Sequence, residues 1–195
     1  SAYLKGSYTP QAITNTMLSE SKGNSVTLDS EFKTNMSGEF GFVYGSDPVN
    51  FRFGIEVLSP ANIKDVKGSD VAGTELYSVN SEASAVIPKV VIEMAFKRWS
   101  TARMIIFAGA GSASLVARNS YVFTTAGTTQ FGLADFYEDL RGTSTMYEGG
   151  LGFEGLLADT TTYVLEAGYR SLNFSEIKHN RDVTTFTGAV VKGDA

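Results

Sequence analysis

Apolar side chains return at every second position through most of this chain, which is the period of a strand with one apolar face. The clearest run is Asn50 to Leu58, where Phe51, Phe53, Ile55 and Val57 alternate with Arg52, Gly54, Glu56 and Leu58. Thr162 to Leu172 repeats it, with Tyr163, Leu165, Ala167 and Tyr169 set against Val164, Glu166, Gly168 and Arg170. Met36 to Tyr44 and Thr145 to Leu157 follow the same rule: Phe40, Phe42, Leu151 and Phe153 lie on one parity, Glu39, Glu148 and Glu154 on the other. Ala2 to Thr9, Ala83 to Phe96, Ala102 to Leu115 and Val183 to Val191 bring the count to about eight. In Ala83 to Phe96, Lys89 and Glu93 share the parity opposite Val90, Ile92, Met94 and Phe96; Ala102 to Leu115 is apolar on both parities, so its facing stays open. Pro88 marks either a bulge in the fourth strand or that strand's true start. Each clear run can cross a bilayer at a tilt, which takes about 9–11 residues.

The connections alternate in length. Gly45-Ser46-Asp47-Pro48, Lys97 to Thr101 and Asp159-Thr160-Thr161 are tight, whereas Pro10 to Glu31, Ser59 to Tyr77, Arg118 to Ser144 and Ser175 to Asp182 are long and polar. Short turns at one end and longer loops at the other predict a single domain over 1–195, an all-β, closed, antiparallel up-and-down transmembrane barrel of about eight strands. Alternation alone does not say which parity faces inward, and a soluble lipocalin-like barrel has the same period with its apolar side inside. The charged parity here mixes glycines with both signs of charge, which suits a narrow packed interior. The expected lumen network is Glu39, Arg52, Glu56, Glu93, Glu148, Glu154, Glu166 and Arg170. Tyr44, Phe51, Phe96, Trp99 and Tyr163 collect near strand ends on the short-turn side, as an interfacial aromatic girdle would.

Composition narrows the chemistry. The 195 residues contain no cysteine, so disulfides and thiolate sites are unavailable. A net charge of -5 argues against nucleic acid as a partner. The longest apolar stretch, Met104 to Gly111, is far short of the roughly 20 residues a membrane helix needs. Mean hydropathy of -0.04 is compatible with a barrel, whose lipid-facing and lumen-facing residues average out. The single histidine, His179, falls in a predicted surface loop, and any Ser–His chemistry would have to use it. Gly109-Ala110-Gly111 and Gly149-Gly150 lack the helix or Lys-Ser/Thr pair of a phosphate loop. Asp135 to Arg141, with Phe136 and Leu140 four apart, reads as a helical turn in a loop. No catalytic, cofactor or metal site is expected.

Thr145-Met146-Tyr147-Glu148-Gly149-Gly150-Leu151-Gly152-Phe153-Glu154-Gly155-Leu156, followed by a short turn and Glu166-Ala167-Gly168-Tyr169-Arg170, resembles the outer-membrane β-barrel superfamily. That grouping includes the OmpA transmembrane domain, OmpX, OmpW and bacterial surface antigens. Phe107-Ala108-Gly109-Ala110-Gly111 is similar to its Gly-rich fifth strand, and Ala2-Tyr3-Leu4-Lys5-Gly6-Ser7-Tyr8 to its opening strand. The resemblance implies a Gram-negative outer-membrane protein whose signal peptide has been removed. Its partners would be outer-membrane lipids and an extracellular partner reached through the loops. The expected role is structural or surface-interacting, with the lumen closed by charge. The alternatives are a narrow pore for small or hydrophobic solutes and a soluble lipocalin-like ligand-binding barrel.

Overall fold

In the computed structural model, residues 1–13, 32–172, 174, 177–184 and 190–193 are described. Seven strands follow one another: β1 (Ala2–Ile13), β2 (Phe32–Ser46), β3 (Val49–Ser69), β4 (Glu75–Arg98), β5 (Ala102–Phe123), β6 (Phe136–Ala158) and β7 (Thr161–Leu172). A short helix, α1 (Thr125–Phe131), lies between β5 and β6. Each strand pairs antiparallel with the next, and the sheet curls into a half-barrel whose edges are β1 and β7. β8 (Ile177–His179) continues the seventh strand up the side of β6: Leu172 pairs with Met146 and Ile177 with Gly142.

The central strands β3 to β6 run 21 to 24 residues, about twice what a bilayer crossing takes. Along β4 the reason is legible. From Val86 to Phe96 the outward side chains are Val86, Pro88, Val90, Ile92 and Met94, and the inward ones include Lys89 and Glu93. From Tyr77 to Ile87 the polarity reverses: Tyr77, Val79, Ala83, Ala85 and Ile87 turn in and are buried, while Ser78, Asn80, Glu82 and Ser84 turn out. The neighbouring strands change in the same direction, although Val116 and Val122 further along β5 still face outward. Outward Met104, Ile106, Ala108 and Ala110 on β5 give way to Ser112 and Ser114; on β6, Phe153, Leu151 and Tyr147 give way to Thr145 and Thr143.

The upper interior is therefore the apolar core. One cluster joins Leu58, Ala85, Ile87, Leu115, Leu140 and Met146, with Leu172, Phe174 and Ile177 packed against it. A second joins Leu76, Tyr77, Val79 and Tyr121 beneath Phe131 of α1. Thr124 caps α1 by accepting from the Gly127 amide, and Gly132 ends it at φ 68. Gly127 lets the helix lie on the sheet, since a Cβ there would stand 1.9 Å from the Leu76 carbonyl oxygen.

Several expectations need correction. Much of the predicted loops Ser59 to Tyr77 and Arg118 to Ser144 is strand: in the second the alternation persists with reversed polarity, and in the first β3 stays paired with β4 through several register shifts. Asp135 to Arg141 is not a helical turn: Phe136 to Arg141 opens β6, with Glu138 and Leu140 buried and Tyr137 and Arg141 exposed. A spacing of four satisfies period two as well as a helix. His179 lies on β8 and is buried, not in a surface loop. β4 runs through Pro88 without a bulge on its β3 side, while the ladder to β5 skips Ile87 and Pro88. Val183 to Val191 does not join the large sheet as an eighth strand. β9 (Val183–Thr184) pairs instead with β10 (Val190–Val191), and residues 185–189 lie outside the described residues. The predicted loop Pro10 to Glu31 lies mostly outside them as well.

Candidate functional site

Below the level of reversal the inward parity is charged, and register decides who meets whom. Glu39 of β2 stands directly opposite Glu56 of β3. Two like charges so placed repel unless cations intervene. Lys89 of β4 supplies one, its Nζ lying 2.8 Å from Glu39, 2.8 Å from Glu56 and 2.9 Å from Glu148. Arg170 of β7 supplies another. It donates to both Glu56 carboxylate oxygens at 2.8 Å and to Glu148, its direct cross-strand partner, at 2.8 Å. Gly54 between them leaves room: a Cβ would come 2.2 Å from the Tyr3 hydroxyl, which donates to Glu39 at 2.5 Å.

Nearer the short turns a second set forms. Arg52 lies 2.9 Å from Glu93 and 2.7 Å from Glu166, with the Tyr3 and Phe107 rings beneath its guanidinium at 5.7 and 5.9 Å. Lys5 of β1 pairs with Glu166 of β7. Arg103 donates to Glu154, its cross-strand partner, at 2.7 Å and to Asp47 of the β2–β3 turn at 2.5 Å. Glu39, Arg52, Glu56, Glu93, Glu148, Glu154, Glu166 and Arg170 are thus all drawn into inward ion pairs. Sequence reasoning left out Tyr3, Lys5, Lys89 and Arg103. Lys5 and Lys89 were on the charged parity, whereas Arg103 was hidden in a strand apolar on both.

Outside, the same stretch is an apolar belt. Leu4, Phe42, Leu165 and Tyr169 are between 66% and 86% exposed. Tyr44, Phe51, Phe96, Trp99 and Tyr163 all stand exposed at the short-turn end. Phe153 bridges Trp99 and Tyr163 there, with ring centroids 6.3 Å apart on either side. The charged interior opens sideways between β1 and β7 into a cleft of about 1510 Å³. Lys5 spans that opening to reach Glu166.

Among the described residues, no group of three or more His, Asp or Glu could hold a metal ion, and no helix is long and apolar enough to cross a membrane. No protein-family model, curated protein or solved structure matches this chain.

Proposed function

We propose that this chain is an integral protein of the bacterial outer membrane, a closed β-barrel with a structural or surface-interacting role and a lumen shut by its own ion pairs. The observation that carries the reading is the polarity reversal. A sheet in water throughout would keep one apolar face. Here the apolar face is outward over a belt of about 11 residues on β4, the height of a hydrocarbon core crossed at a tilt, and inward above it. A soluble lipophilic carrier would have the opposite parity inside the belt. Closure needs a pairing between the β1 and β7 edges. A closed barrel leaves no unpaired backbone edge in lipid, where such groups are costly.

Purified protein folded in detergent should run at a different gel mobility unheated than boiled, because a closed barrel has no free edge from which SDS can open it. Solubility as a monomer without detergent, with no such shift, would sink the reading.

A further inference from the structure

The cleft between β1 and β7 does not end at its sideways opening. Asp47, Trp99 and Thr160, one from each short turn, line it as well, so it runs to the short-turn end, while the Leu115 and Met146 cluster closes the interior above. Near this end register gathers a polar group. Asn50 of β3 stands opposite Glu93 of β4, and Arg103 of β5 opposite Glu154 of β6. Arg52, two residues along β3 from Asn50, lies 2.9 Å from Glu93. In the amide orientation that satisfies both its ends, Asn50 accepts from Arg103 Nη2 at 3.1 Å. Phe107, the partner of Glu93 on its other side, supplies an apolar wall. Two donors in this group are unused. The Arg52 side chain is only 6% exposed, yet its Nη2 has no hydrogen-bond partner among the described residues, and neither has Arg103 Nε. Buried donors left unmade are costly. The charges, by contrast, balance: Glu93, Glu154 and Glu166 are matched by Arg52, Arg103 and Lys5, and Asp47 at the mouth by Arg98.

We propose that this pocket binds a small zwitterion, an α-amino acid, entering from the short-turn end. The inference rests on the barrel reading above, since pairing of the β1 and β7 edges seals the sideways opening and leaves that one entrance. The ligand's carboxylate takes the unused donors of Arg52 and Arg103. Its ammonium goes to Glu93, whose ion pair among the described residues is with Arg52, and Asn50 stands beside both. Charge balance selects this class. A lone anion would bring an unmatched negative charge among the glutamates, and a lone amine an unmatched positive one among the arginines; both are costly away from water. A zwitterion adds neither. A sugar offers the two guanidiniums only hydroxyl acceptors, where a carboxylate suits their planar geometry better. The apolar cluster above makes the pocket a dead end, so it holds a ligand without passing it on.

The full chain, folded in non-ionic micelles, would be dialysed to equilibrium against radiolabelled L-alanine, with acetate, ethylammonium and glucose as competitors. Saturable alanine binding is expected, and each competitor should be weaker than unlabelled alanine by roughly tenfold or more. Glu93→Gln should weaken alanine about tenfold, the loss of one charged contact, and leave acetate competing no worse than before. Arg118→Gln, on the outward face far above the pocket, should stay within about twofold of wild type. Acetate, ethylammonium or glucose competing as well as alanine overturns the proposal, and so does wild-type alanine affinity in a Glu93→Gln protein that keeps its gel-mobility shift. If that variant loses the shift, the competitor series on unaltered protein decides alone. A normal shift in wild type with no alanine binding removes this inference only; absence of the shift removes the barrel reading with it.

Discussion

At the scale of residues, charge inside and apolarity outside depend on single-step alternation, so neighbours in sequence should respond oppositely to substitution. Leu165 points out and is 66% exposed, while Glu166, one position on, is buried against Lys5 and Arg52. Leu165→Arg places a charge in the belt and should cost insertion about 2–4 kcal/mol if it lies near the bilayer midplane. Glu166→Gln should cost insertion far less, and vesicle-insertion yields of the two variants make the comparison. Equal effects would mean that the faces are assigned wrongly. Arg170 offers a second contrast. Its loss leaves Glu56 and Glu148 sharing Lys89 alone, and breaking a buried pair from one side costs about 3–5 kcal/mol. Arg118→Ala removes an exposed contact to Asp139, worth about 0–1 kcal/mol. Urea unfolding in micelles should rank Arg170→Ala well below Arg118→Ala.

At the scale of elements, the strands of the belt were legible because their alternation had one clear sign. Asn50 to Leu58 and Thr162 to Leu172 fall within β3 and β7. The upper halves of β5 and β6 were not, because Arg118, Ser120, Asp139 and Thr143 on the outward face read as a polar loop once the sign reverses. Helix α1 escaped for another reason: Thr125-Ala126-Gly127-Thr128-Thr129 has weak helix propensity and only its caps mark it. Its docking is steric, so Gly127→Val should dislodge it from Leu76 and open that end to protease while leaving the gel-mobility shift intact. Loss of both would mean that α1 supports the barrel itself. Asp139 ties β5 and β6 to the segment after β8. Arg118, then Arg181, holds its carboxyl below the ordinary aspartate range. A lowered folded value stabilises fully above the unfolded value of about 3.9 and is lost as pH falls through the folded one. Acidification towards about pH 3 should therefore expose the Asn180–Asp182 segment to pepsin, and Asp139→Asn should expose it already at about pH 5. Identical cleavage profiles for wild type and variant would count against the clamp.

At the scale of the whole molecule, two kinds of material fill the interior in sequence. Ion pairs occupy the belt, and Ile87, Ala85, Leu115 and Met146 close the space above them. Ions would have to break the first and cross the second. Planar-bilayer recordings of the purified protein should accordingly give no steady large conductance, and stable ion-selective steps would promote the pore reading. What the sequence concealed at this scale is closure: it offered Val183 to Val191 as an eighth strand, yet Val183 and Thr184 pair with Val191 and Val190. A short, weakly patterned segment can satisfy its backbone locally as readily as along a distant edge.

The length of β4 and β5 has a developmental reading as a ruler. From Val86 to Glu75, β4 continues 11 residues beyond the belt, roughly 30 Å of elevation at a barrel strand's tilt. Because side-chain facing repeats every two residues, adding or deleting two from each paired strand would raise or lower the α1 end by about 5 Å without turning any residue around. Trimming the strands in pairs would thus change the height of the α1 end above the belt and nothing else, whereas a one-residue change would turn the whole wall inside out.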